Sequence, residues 1–98
     1  MKKYNYEERR DTYNAALAKW GMVPQLYVAI EEMSEVIKAL TKFMRDPDRM
    51  EDAIASIIEE VADATIMLEQ LRLIFGINDE VCEAMDAKIE RLKERVSG

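Results

Sequence analysis

Glycine and proline fall almost only where this chain must break. Three glycines (Gly21, Gly76, Gly98) and two prolines (Pro24, Pro47) are spread over 98 residues, and they divide the chain into four segments. Each segment carries apolar residues at helical rather than alternating spacing, so the chain can hardly be anything but all-α. The first helix is expected from about Tyr6 to Trp20, stopped by Gly21. The second starts near Pro24, a residue suited to a first turn, and ends before Asp46-Pro47-Asp48. The third runs from there to Phe75, where Gly76 closes it. Asn78 is expected to cap the fourth, with Asp79 and Glu80 in its first turn and Lys/Arg toward its end. Ser97-Gly98 reads as a frayed tail. Nothing resembles a linker, so residues 1–98 read as one domain.

The apolar pattern indicates a four-helix bundle. On the second helix Leu26, Ile30, Met33, Ile37, Leu40 and Met44 alternate in steps of four and three. On the third, Ile57, Val61, Ala64, Leu68 and Phe75 form one stripe. Ile58, Ala62, Ile66 and Leu73 form another on a different side. A helix apolar on two sides is central or shared between subunits, so a homodimer or homotetramer built mainly through the third helix is expected. The other possibility is that the second strip lies under the first helix of the same chain.

Composition removes several functions. Fourteen basic and 20 acidic residues leave a net charge of −6, which argues against binding a nucleic-acid polymer through its phosphates. There is no histidine, so histidine-based acid–base chemistry and histidine metal ligation are out. The lone cysteine, Cys82, offers neither an intrachain disulfide nor a cysteine zinc site and reads as a small buried residue. Met1-Lys2-Lys3 leads into tyrosines and charges rather than an apolar core, and no apolar run reaches the length of a membrane span. A cytoplasmic protein without a membrane role is expected.

Acidic residues inside the apolar helices carry the functional signal. Glu31-Glu32-Met33-Ser34-Glu35 reads E-x-x-E from Glu32, and Glu59-Glu60-Val61-Ala62-Asp63 reads E-x-x-D from Glu60. At about 100° per residue, Glu32 and Glu60 border their stripes and Glu35 and Asp63 lie on the same side, whereas Glu31 and Glu59 face outward. Antiparallel packing of the two helices would let Glu32, Glu35, Glu60 and Asp63 converge. Such a cluster repels itself and raises its own pKa values unless cations enter. All-oxygen ligands favour Mg²⁺, with Mn²⁺ as a substitute. The bland reading is a pair of solvated helix faces. It suits any single glutamate, but not two matched motifs at stripe borders.

The pattern E-x-x-E, a gap of 24 residues, then E-x-x-D resembles the signature of the MazG-like nucleotide pyrophosphohydrolases, the all-α NTP pyrophosphatase superfamily. Lys19-Trp20-Gly21, Gln25-Leu26 and Ala29-Ile30-Glu31-Glu32-Met33 are similar to the lead-in of its small single-domain members. Glu59 to Asp63 with Ile66 to Leu71 is similar to their third helix, and Lys88-Ile89-Glu90-Arg91-Leu92 with Arg95 to their last. The resemblance covers about residues 14 to 96. It implies Mg²⁺-dependent hydrolysis of a nucleoside triphosphate to the monophosphate and diphosphate. Glu32, Glu35, Glu60 and Asp63 would hold the metal, with Glu35 and Glu60 catalytic and Glu35 the candidate proton acceptor. Lys88 and Arg91 would meet phosphate oxygens, Trp20 would stack on the base and Gln25 would read base or sugar. Arg95 is better explained as a basic helix end. Relatives often carry an asparagine in the last helix, where this chain has only the capping Asn78. The competing reading from a different class is a non-enzymatic helical dimerisation or regulatory module with an acidic partner-binding face. A di-iron carboxylate bundle would need E-x-x-H motifs, which this chain lacks.

Overall fold

The computed structural model describes residues 2–98, which form helices and short turns only. The helices are α1 (Tyr6–Trp20), α2 (Met22–Arg45), α3 (Met50–Phe75) and α4 (Asn78–Ser97), with one 3₁₀ turn, Pro47–Arg49, between α2 and α3. Among the described residues no helix is long and apolar enough to cross a membrane.

Local chemistry accounts for the boundaries. Asn5 opens α1 with a reciprocal cap: Glu8 N–H donates to its Oδ1 at 2.8 Å, and its own N–H donates to Glu8 Oε1 at 3.1 Å. Two orphan donors are thereby satisfied. Gly21 alone joins α1 to α2, at φ 85° and ψ 168°, a region essentially restricted to glycine. Because the joint is one residue, α2 starts at Met22, and Pro24 sits within its first turn, where the missing N–H costs nothing. Gly76, left-handed at φ 64° and ψ 37°, ends α3. Its N–H donates to Leu73 C=O at 3.2 Å and that of Ile77 to Arg72 C=O at 2.9 Å, the paired closure of a Schellman motif. The chain then re-enters a helix a residue earlier than expected. Ile77 holds the cap position, and Asn78 is not a cap: its Oδ1 accepts from Arg72 Nη1 at 3.4 Å. Ser97 is helical rather than frayed.

The α2–α3 hairpin is the body of the fold. Among the covered positions on α2 are Gln25, Ala29, Glu32, Val36, Ala39 and Phe43, and among those on α3 are Ala53, Ile57, Glu60, Ala64, Met67 and Leu71. Both sets step by four and three, the seam of two antiparallel helices packed at a shallow angle. Four of these residues are alanines, so the backbones can approach closely.

This seam departs from the expected stripe. On α2 it is rotated by one position, about 100°. Ile30, Ile37 and Met44 are therefore 67%, 65% and 79% exposed, and Ile58 on α3 is 65% exposed. Apolarity was the wrong guide, because Gln25, Glu32, Glu60 and Gln70 take covered positions. Buried Gln70 donates from Nε2 to buried Gln25 Oε1 at 3.2 Å, which removes the cost of placing amides there. Cys82 is exposed rather than buried.

Helix α1 crosses both partners and is fastened by one polar cluster. Arg9 donates from Nε and Nη2 to the two carboxylate oxygens of Glu69, each at 2.9 Å, and the buried Tyr13 hydroxyl donates to Glu69 Oε1. Such bidentate pairs are geometrically demanding. Hydrogen bonds from Arg9 hold the Glu69 carboxyl below its ordinary range, while burial and the hydrogen bond to Glu69 push the Tyr13 phenol up to about 12. The two groups act in opposite pH windows. Glu69 stabilises the fold above the usual carboxylate pKa, and that contribution is lost as pH falls through its depressed value. Tyr13 stabilises it fully below the usual phenol value and loses that contribution as pH rises through about 12. Tyr13→Phe should therefore cost about 1 kcal/mol at neutral pH and remove the alkaline loss, as read by thermal unfolding across pH.

Candidate metal centre

Glu60 and Asp63, three residues apart on α3, share a helix face. Antiparallel pairing brings Glu32 of α2 opposite them. One carboxylate oxygen from each of Glu32, Glu60 and Asp63 lies within 4.8 Å of the other two. Glu32 and Glu60 are half-buried in the seam and Asp63 lies at its open edge.

The electrostatics of this trio are uncompensated. Burial, then the charges of Asp63, Glu60 and Glu31, raise the Glu32 carboxyl. Burial, then Glu35, Asp63 and Glu59, raise that of Glu60. The ion pairs among the described residues are Arg9–Glu69, Lys38–Glu35, Arg49–Asp46 and Lys93–Glu90, so none of their cations pairs with the trio. Three convergent oxygen donors that lack a cationic partner and stand where water can enter suit a hard divalent ion such as Mg²⁺ or Mn²⁺.

The expected site residues are not all brought together. Glu35 lies outside the tight trio. It is close enough to Glu60 to raise its pKa, and it receives Lys38 Nζ at 3.3 Å. Glu31 and Glu59 are exposed. Gln25 is buried, with its amide oxygen engaged by Gln70. Trp20 is 56% exposed at the end of α1, with Lys19 Nζ 5.3 Å from its ring centre. Lys88, Arg91 and Arg95 line a separate cleft on α4 with Leu92. Within one chain α4 packs against α3 and not α2, and among the described residues Lys88 and Arg91 make no ion pair with Glu32, Glu60 or Asp63.

One feature of the site was missed in the sequence. A cavity of about 360 Å³ leads from Glu35 and Glu60 to Lys38, Lys42, Arg45 and Ser56. Its signal was the spacing of Lys38, Lys42 and Arg45, which steps by four and three along one helix face.

Comparison with models of protein families, with curated proteins and with solved structures gives no match to this chain.

Proposed function

We propose that this chain is a divalent-cation-dependent hydrolase that cleaves a nucleoside triphosphate to the monophosphate and diphosphate, working as an assembly of two or more copies. The observation that carries the reading is the trio Glu32, Glu60 and Asp63, one oxygen from each lying within 4.8 Å of the others, with no ion pair to a cation among the described residues. The choice of a triphosphate rests on the resemblance of the acidic motifs and their flanks to the MazG-like enzymes.

In this reading Glu32, Glu60 and Asp63 hold Mg²⁺ or Mn²⁺, which supplies charge neutralisation on the phosphates and acidifies an attacking water. Glu35 accepts a proton from the water as the water oxygen bonds to the α phosphorus, the bond from that phosphorus to the α–β bridging oxygen breaks, and diphosphate departs with that oxygen. Lys38 orients the Glu35 carboxylate through their ion pair. Trp20 offers an exposed ring for the base, whereas Gln25 serves the site by fixing the α2–α3 register. Lys88 and Arg91 contribute only across an interface, from α4 of a neighbouring copy.

Size and surface support the assembly. The radius of gyration is 16.3 Å, against about 13 Å for a compact chain of this length. The accessible surface is 8004 Å², about 2,200 Å² more than the ~5,800 Å² expected of a monomer of this mass. An excess of that order matches what obligate interfaces cover, and the exposed apolar stripe of Ile30, Ile37, Met44 and Ile58 is part of that surface. A non-enzymatic module would share that stripe. It would not need three carboxylates from two helices to converge within 4.8 Å.

The test is diphosphate release from a panel of nucleoside triphosphates with Mg²⁺. Release from at least one is expected. No release from any, together with no Mg²⁺-dependent rise in unfolding temperature, would end the hydrolytic reading.

A further inference from the structure

We propose that the trough running from the carboxylates toward the α2–α3 turn, walled by Lys42, Arg45 and Ser56, is an anion site that holds the diphosphate end of the nucleotide. It rests on the hydrolytic reading only in taking the anion to be part of a nucleotide.

Two neighbouring cavities share Lys42, Arg45 and Ser56 in their walls. The larger, about 360 Å³, opens on Glu35 and Glu60, and the smaller, about 230 Å³, continues to Arg49 and Asp52. Together they make one trough, with Glu35 and Glu60 at one end, Lys42 and Arg45 beyond them, and Asp46, Arg49 and Asp52 at the far end. Glu35 and Lys42 are seven residues apart, about 10 Å along the helix. A phosphate chain lying in the trough would thus have one end beside the carboxylate trio and the other within reach of Lys42 and Arg45.

The cations there are available. Lys38 is taken by Glu35 at 3.3 Å, and Arg49 is held weakly by Asp46 at 3.9 Å. Lys42 and Arg45 make no ion pair and no side-chain hydrogen bond among the described residues. Opposite them, the Ser56 hydroxyl stands one turn before Glu60 on α3 and likewise has no partner among those residues. Basic residues in a last helical turn favour the helix dipole, which explains a Lys or Arg near Arg45. It does not explain why both line a cavity with a free hydroxyl from the opposing helix. In a chain of net charge −6, two cations left unpaired beside a cavity are a phosphate grip: a compact ammonium, a forked guanidinium and a hydroxyl donor. Lys88 and Arg91 lie in a different cleft.

Inorganic diphosphate without metal is the direct probe, titrated calorimetrically into the full chain and into Lys42→Ala/Arg45→Ala. The wild type should bind it, and the variant should bind at least about tenfold more weakly, the consequence of losing charge-assisted hydrogen bonds. In hydrolysis with Mg²⁺, the Lys42/Arg45 variant should show a similar rise in KM with kcat within about threefold, because these residues grip substrate and do not touch the cleaved bond. A wild type that does not bind diphosphate, or a folded variant that binds it equally well, overturns the proposal. Binding that is lost in the variant, from a protein that hydrolyses no triphosphate, supports the anion site and overturns only the hydrolytic reading.

Discussion

Glu60→Gln should abolish triphosphate hydrolysis, by on the order of 10²-fold or more, without destabilising the metal-free protein. The two halves of this outcome have one cause. Glu60 is raised by burial and by the charges of Glu35, Asp63 and Glu59, so its ionised form works against the fold. A raised carboxyl contributes stability that is present below its unfolded pKa and lost as pH rises through its folded value. Neutral glutamine keeps the shape and removes that loss. At neutral pH without metal, the variant should melt at or above the wild-type temperature. Mg²⁺ should reverse the order. At a hundred times the dissociation constant a bound ion adds about 2.7 kcal/mol, and in a domain of this size each kcal/mol moves the melting temperature by about 4–8 °C. A wild type that Mg²⁺ stabilises strongly, beside a variant that it does not, identifies a ligand. Full activity in the variant would remove Glu60 from the site.

Ile37→Glu combined with Ile58→Glu should convert the wild-type assembly to single chains. Both side chains are 65% exposed in one copy, so neither substitution disturbs the α2–α3 seam. In an assembly they would bury two charges without partners, and central apolar anchors typically carry more than about 1 kcal/mol each. Sedimentation should show more than one chain for the wild type and one for the variant. The wild-type melting temperature should rise with protein concentration and that of the variant should not. A wild type that sediments as one chain at all concentrations would overturn the assembly. If Lys88 and Arg91 act across the interface, the variant should also lose activity.

The helices were legible in the sequence where one residue's chemistry sets the boundary, and the start of α4 was not, because Ile77 rather than Asn78 holds the cap position. Gly21 and Gly76 take positive φ, and Asp46-Pro47 interrupts the hydrogen-bond ladder. The Asn5–Glu8 cap, an N-x-x-E before the helix, went unread in the sequence. The rotation of α2 was not legible either. Periodicity reports which residues are apolar, and here the seam takes alanines and amides while isoleucines stay outside. Of the acidic motifs, Glu32, Glu60 and Asp63 converge as their spacing suggested, and for a stronger reason, since two of them occupy the seam rather than its border. Glu35 lies outside the tight trio and pairs with Lys38, one turn on, a partner that the spacing of the acidic motif does not reveal. Lys88 and Arg91 were placed by resemblance, and resemblance carries no information about where α4 points once the chain leaves Gly76.

The alanines of the seam have a consequence of their own. Ala29, Ala39, Ala53 and Ala64 set how near α2 and α3 approach, and that approach fixes the opening between Glu32 on one helix and Glu60 and Asp63 on the other. The aperture is thus gauged by residues that never touch its contents. A wider side chain at Ala64, one turn from Glu60, would push the helices apart and enlarge the opening. Such a change should shift preference from the small, rigidly octahedral Mg²⁺ toward the larger and more tolerant Ca²⁺, so that ion selectivity would be written in methyl groups rather than in ligands.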